Sequence, residues 1–202
     1  MGLFKRIASA MGISRDQMRI LVVGLDNSGK TTLIDHIKPN KASTFEATPT
    51  VGFQVEEFTK SNVNFTIFDM SGQSRYRTLW EHYFRDVHAI IFVVDSTDRV
   101  RLCVAKEELD EVLKHKEVKS SGMPLLVYAN KTDLPGALSP HECAQELGLA
   151  SVDSRPWHIE GSNALDGLGV GDGVDWLVER LSLVQGRKPA SNGRRRSSGE
   201  HK

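Results

Sequence analysis

The sequence predicts an α/β domain of three layers: a mostly parallel sheet with one antiparallel hairpin strand at its edge, and helices on both faces. Three observations predict it. Strand-like runs alternate with runs whose apolar residues recur at helical spacing, the pattern of βαβ units. Ala89–Val94 and Leu125–Ala129 are unbroken apolar runs, as central strands covered on both faces require. Val63, Phe65 and Ile67 instead alternate with polar residues, as in a strand buried on one face.

At 202 residues, 39% apolar and 26% charged, the chain suffices for one soluble domain with a full core plus tails. No run approaches the ~18 apolar residues that a membrane-spanning helix needs. Cys103 and Cys143 stand far apart with no C-x-x-C or His-rich spacing, which argues against a metal site or disulfide and for a reducing, intracellular setting. The formal charge of zero conceals an asymmetry: from Arg187 onward there are six Lys/Arg against one acidic residue, so the body is mildly acidic and the tail basic. The expected organisation is an amphipathic helix over 1–16, a folded domain over 17–185 and a basic disordered tail over 186–202, with no nucleic-acid partner expected.

In chain order, Leu3, Phe4, Ile7, Ala8 and Met11 share one helical face with Lys5, Arg6 and Ser9 opposite. Such a helix can dock on the domain or lie in a membrane interface, and the sequence leaves both readings open. Arg6 stands where N-myristoylation requires Ser or Thr, so Gly2 is expected to be unacylated. Ile20–Val23 reads as a strand and Lys30–Ile37 as a helix, followed by a breaker-rich loop from Pro39 to Thr48. Val51–Phe58 and Val63–Phe68 then read as the hairpin, turning at Ser61 and Asn62. Ala105, Leu109, Val112 and Leu113 line one face of a helix. Ser139, Pro140 and Glu142 supply an N-cap, an N1 proline and an N3 acid for another. A strand at Pro156–Ile159 and a helix carrying Val174, Leu177, Val178, Leu181 and Val184 complete the domain.

The first strand runs straight into Gly24-Leu25-Asp26-Asn27-Ser28-Gly29-Lys30-Thr31, which reads G-x-x-x-x-G-K-T, a phosphate-binding P-loop. Glycines at both ends let the backbone turn tightly so that amide N–H groups face an anion, and the following helix adds the positive end of its dipole. Asp26, Asn27, Ser28, Gly29, Lys30, Thr31 and Thr32 are the expected phosphate contacts, with the Thr31 hydroxyl also placed to hold Mg²⁺.

Further matches follow in the order a nucleotide switch needs. Thr50 precedes the hairpin, where its hydroxyl can reach Mg²⁺ and its N–H the γ-phosphate. Asp69 follows the second hairpin strand and can hold Mg²⁺ through water; Gly72 lets backbone approach the γ-phosphate, and Gln73 can orient an attacking water as the catalytic residue. Asn130, Lys131 and Asp133 close the Leu125 strand. A carboxylate there accepts from guanine N1–H and the 2-amino group, donors that adenine lacks, so GTP/GDP is the expected nucleotide. Ser162 and Asn163, after the last strand, are expected to bring a backbone N–H to guanine O6.

With Pro49-Thr50-Val51-Gly52-Phe53, Leu79-Trp80-Glu81-His82-Tyr83 and Gly173-Val174-Asp175-Trp176-Leu177 added to these motifs, the chain resembles the Arf-like small GTPases from about Gly2 to Val184. Asp69-Met70-Ser71-Gly72-Gln73, Val104–Asp110 and Pro156-Trp157-His158-Ile159 are similar to its ciliary branch, which recruits the BBSome coat. The resemblance implies a slow GTP hydrolase acting as a switch, an exchange factor and a GTPase-activating protein as partners, and an N-terminal helix that engages membrane when GTP binds. It implies an effector face carrying Phe53, Phe68, Trp80 and Tyr83, although Phe53, Phe68 and Tyr83 read as bare sequence are core residues. The implied location is cytoplasmic and peripheral to membrane, at the cilium or flagellum and its base. Two positions depart from the family: Ser71 replaces the usual Gly, and Glu160-Gly161 stands where Cys-Ala is usual near guanine. A metabolic P-loop kinase is the competing class, but it has no use for Asp133; a nucleotide-locked scaffold that hydrolyses little is the third reading.

Overall fold

A computed structural model of the chain describes residues 16–39, 49–60 and 63–184. The N-terminal helix, most of the loop from Pro39 to Thr48, the turn at Ser61 and Asn62 and the basic tail lie outside the described residues. Six strands form one sheet: β1 (Asp16–Val23), β2 (Phe53–Lys60), β3 (Val63–Met70), β4 (Ala89–Asp95), β5 (Leu125–Asn130) and β6 (Trp157–Ser162), in the order β2-β3-β1-β4-β5-β6. All neighbours run parallel except β2 and β3, so the edge hairpin is present as expected.

Alternate residues of β1, β3, β4 and β5 feed two cores. On one face Leu21, Val23, Ile90, Phe92, Val94, Leu125 and Val127 are buried under α2 (Leu102–Lys114), α3 (Lys116–Ser121) and α4 (Pro140–Glu146), while Met18, Ile20, Val22, Ile91, Val93 and Leu126 pack on the other under α1 (Lys30–Ile37) and α5 (Val170–Val184). Ser139 caps α4 through a complete capping box with Glu142. α3 and a ten-residue 3₁₀ segment, Ser74–Tyr83, are additions to the sequence reading. β1 also begins four residues before Ile20, because Met18 turns inward while Gln17 and Arg19 stay exposed. β6 runs through Ser162, so Gly161 and Ser162 belong to the strand rather than to the loop beyond it.

The register places the ends that matter side by side. Asp95 pairs with Asn130 and Asn130 with Ser162, so β4, β5 and β6 close in one row. β1 lies between β3 and β4, where chain connections diverge, and ligands of open parallel sheets bind beyond strand carboxyl ends at such a point.

Candidate nucleotide site

The loop from β1 into α1 is fixed by sterics. A Cβ on Gly24 (φ 139°) would fall 2.2 Å from the Val93 carbonyl oxygen, and one on Gly29 (φ 93°) would fall 2.3 Å from the Asn130 amide nitrogen. Asn27 also adopts a left-handed conformation, at φ 62°. The first intrahelical bond is Leu33 N–H to Gly29 O, so the N–H groups of Lys30, Thr31 and Thr32 have no helical acceptor. Lys30 lies across the loop, its ammonium donating to the carbonyls of Gly24 (3.1 Å) and Leu25 (2.8 Å). Burial pushes its pKa down to about 8, against the pull of Asp69 and Asp26. Asp26 points away from the loop's interior, toward Arg101 at 3.3 Å.

Three segments distant in sequence meet at one hydroxyl. Thr31 Oγ1 donates to Asp69 Oδ2 at 2.6 Å and lies 3.0 Å from Thr50 Oγ1. The second carboxylate oxygen, Asp69 Oδ1, is buried without a partner among the described residues. Burial raises the Asp69 pKa, opposed by the Thr31 hydrogen bond and Lys30. Hard oxygen donors with one unsatisfied lone-pair set, one turn of chain from a phosphate loop, fit Mg²⁺, which takes few protein ligands and completes its shell with phosphate and water.

The base side is built from the aligned strand ends. Asn130 Nδ2 donates to Ser28 O (2.8 Å), and its Oδ1 accepts from Ser162 Oγ (3.1 Å) and Ala164 N–H (3.0 Å), tying the P-loop to the segment after β6. Lys131, left-handed at φ 66°, extends to Asp95 Oδ2 at 2.6 Å. Burial would raise the Asp95 pKa, but hydrogen bonds from Lys131 and Thr97 outweigh it and hold the carboxyl below its ordinary range. Asp133 is exposed, and its carboxylate has no partner among the described residues.

Ser162 and Asn163 stand at the end of β6 and the start of the loop beyond it. The Ser162 side chain is spent on Asn130, while the Asn163 N–H donates to Leu168 O and its amide braces Asp166 and Leu165 N–H. These bonds shape the loop that follows β6. Glu160 and Gly161 lie within β6, and a Cβ on Gly161 would meet the Pro140 ring at 2.9 Å, so that position faces α4 rather than guanine.

After β3, Ser71 N–H donates to Gly52 O, joining the two sides of the hairpin beyond its strands. Gly72 lies directly on the P-loop: a Cβ there would fall 2.2 Å from Asp26 N. The Gln73 side-chain carbonyl accepts from Arg75 Nε at 3.1 Å. Phe53, 43% exposed on the edge strand, contacts Tyr83 with ring centroids 5.2 Å apart, and Tyr83 contacts Phe68 at 4.8 Å. Trp80 is a correction. It is 2% exposed inside the core, with its indole N–H donating to Ser71 O at 3.1 Å, so it underpins this face without forming part of it. Sequence reasoning missed Val51, exposed just before β2, and Val55, exposed with Phe53 on the same face of β2, which extend the apolar strip; the i, i+2 spacing of Phe53 and Val55 was the available signal.

The profile of the ADP-ribosylation factor family matches residues 4–181. ADP-ribosylation factor-like protein 6 of Danio rerio is 49% identical over 185 residues, which are 92% of this chain and 100% of that protein. The protein of the same name in Caenorhabditis elegans is 42% identical over 182 residues, covering 90% of this chain and 94% of its own. A solved structure described as the Arl6 BBS3 small GTPase from Trypanosoma brucei, with bound nucleotide analogue GppNp, is similar at a TM-score of 0.77 and 43% identity, covering 83% of this chain and 98% of that one.

Proposed function

The chain belongs to the ADP-ribosylation factor family of small GTPases and is a GTP hydrolase, and from that premise we propose that its GTP state binds membranes and recruits a ciliary trafficking coat like the BBSome. The observation that carries the reading is the junction at Thr31, where the P-loop helix, the segment before β2 and the end of β3 meet within 3.0 Å. A γ-phosphate contact made there is felt directly by the hairpin that displays Val51, Phe53 and Val55.

Each residue then has a task. The free N–H groups at the start of α1 and the Lys30 ammonium receive the phosphates. Thr31, Thr50 and Asp69 would hold Mg²⁺, which supplies neutralisation of charge between the β- and γ-phosphates. Asp133 selects guanine by accepting its two donors, and Lys131 and Asn130 hold the strand end that presents it. Gln73 orients water. Its amide carbonyl is engaged by Arg75, and the Ser71 hydroxyl sits 3.4 Å from the Gln73 N–H, which supports slow hydrolysis in the absence of an activating protein. The amphipathic segment 1–16 supplies reversible membrane attachment and places the protein peripherally at the cilium or flagellum and its base.

The test is a pull-down of BBSome subunits from lysate of ciliated cells by protein loaded with a non-hydrolysable GTP analogue or with GDP. The analogue form should enrich the subunits, and Phe53→Ala should reduce capture by about tenfold, as loss of an aromatic anchor does. Equal capture by both nucleotide forms would remove the coat reading and leave a GTPase with other partners.

A further inference from the structure

The Gly72–Gln73 peptide is held by a side chain outside the residues assigned to the nucleotide. Arg77, in the first half of the 3₁₀ segment, folds back so that its Nε donates to the Gly72 carbonyl at 2.8 Å. One terminal nitrogen of the same guanidinium donates to Glu108 Oε1 on α2 at 2.6 Å, and the other stands 3.9 Å from Asp26 Oδ1 on the P-loop. Asp26 is also met by Arg101 at 3.3 Å, itself fixed to Asp98 at 2.6 Å. The Arg77 side chain is 16% exposed and Glu108 27%, against 48% for Asp26, so the bonds to Gly72 and Glu108 are better shielded from water than the ion contact with Asp26. Two hydrogen bonds and one longer ion contact spread from one rigid plane to three segments, which a lysine, with a single compact ammonium, cannot copy.

We propose that Arg77, aimed by Glu108, is a positioning residue that holds Gly72 against the P-loop and so sets the preference for GTP over GDP. The steric side of the argument is the contact of Gly72 with Leu25 and Asp26, which leaves no room for a Cβ. The polar side is the Arg77 bond to its carbonyl. The same peptide carries the Gln73 N–H, so the fork orients both the backbone that approaches a γ-phosphate and the residue that follows it. A merely structural ion pair between the 3₁₀ segment and α2 would stabilise both nucleotide states alike; a clamp on Gly72 favours the state in which Gly72 is against the P-loop.

The inference rests on the switch reading above, and the experiment separates the two. Affinities for GDP and for a non-hydrolysable GTP analogue are measured with Mg²⁺ for wild type, Arg77→Lys, Glu108→Ala and Glu108→Gln, together with thermal unfolding of each GDP form. Arg77→Lys and Glu108→Ala should weaken the analogue by about tenfold or more while GDP stays within about twofold, the scale of one charge-assisted hydrogen bond. Glu108→Gln keeps an acceptor oxygen and should recover most of the ratio. An unchanged ratio in Arg77→Lys and Glu108→Ala, or equal weakening of both nucleotides, overturns the clamp. If Arg77→Lys does not fold, Glu108→Ala decides alone. Failure of the wild type to bind guanine nucleotides would instead remove the parent reading.

Discussion

Trp80→Ala should cripple the fold of the segment after Gln73 rather than blunt a surface. The indole is 2% exposed, among Phe84, Val87, Leu102 and Ala105 in the core under α2, so its truncation leaves a cavity the size of a bicyclic ring. Burial of that kind is worth about 3–5 kcal/mol on truncation. The buried Ser71 carbonyl also loses its 3.1 Å donor, and an acceptor stranded in the core costs about 1–3 kcal/mol more. Against a native stability of about 5–15 kcal/mol, that is about a quarter or more of the total. Trp80→Phe keeps much of the aromatic volume and loses chiefly the N–H···O bond, so its cost should be about 1–3 kcal/mol. Urea unfolding at one fixed excess of GDP and Mg²⁺ reads both variants, since ligand stabilisation is then held common. Midpoints should fall in the order wild type, Phe, Ala, with slopes unchanged. A Trp80→Ala protein within about 0.5 kcal/mol of wild type that nevertheless loses a GTP-state partner would return the indole to the surface and refute the argument.

Asn130→Asp keeps the two acceptor bonds of Oδ1 but sets an oxygen 2.8 Å from Ser28 O in place of a donor, so nucleotide affinity should fall by about 30-fold or more, measured as the off-rate of a fluorescent GDP. Asp95 has a folded pKa held below its unfolded value, so its pairing with Lys131 and Thr97 adds stability that is complete above the unfolded pKa of about 3.9 and is lost as pH falls through the lower folded value. The stability gap between wild type and Asp95→Asn should therefore be flat above about pH 5 and close below about pH 4, read by unfolding titrations at each pH. Arg155 is buried with no carboxylate at salt-bridge distance among the described residues; it donates to the carbonyls of Val118 and Met123, at the end of α3 and just before β5. Arg155→Met should lower stability by about 1–3 kcal/mol in thermal unfolding, because those carbonyls are left unpaired while the stem's packing is kept. A stability equal to wild type would mean that water replaces the guanidinium.

The P-loop was legible because its geometry is dictated locally: Gly24 and Gly29 stand where no side chain fits, and Lys30 and Thr31 follow at fixed helical positions. The central strands were legible because β4 and β5 are apolar on both faces. The first half of β1 was not, since the buried Met18 sits between the exposed Gln17 and Arg19 in a run that reads as polar. The 3₁₀ segment buries only Trp80 out of ten residues, too little pattern for any periodicity to detect. Trp80 was placed on the effector face by the family resemblance alone, and no local spacing signals that it is buried with its indole on the Ser71 carbonyl. Arg77 and Glu108 lie 31 positions apart, so the fork they form is written in no local spacing. The bracing of Ser162 by Asn130 and of Asn163 by Asp166 was not legible either, since the first pair lies 32 positions apart and the second in a loop without periodicity.

The contacts of Gly24 with the Val93 backbone and of Gly72 with Leu25 and Asp26 are made by an atom that is missing. Between hydrogen and methyl there is no intermediate, so these two joints admit no graded adjustment. A lineage that needs a longer or shorter lifetime of its bound state must look elsewhere, to side chains that can be lengthened, shortened or re-aimed in small steps. Ser71, placed between the two kinds of joint with a hydroxyl toward Gln73, is such a dial. Selection for altered lifetime, in nature or in a library, should accumulate changes at Ser71, Arg75 and Arg77 and return none at Gly24 or Gly72.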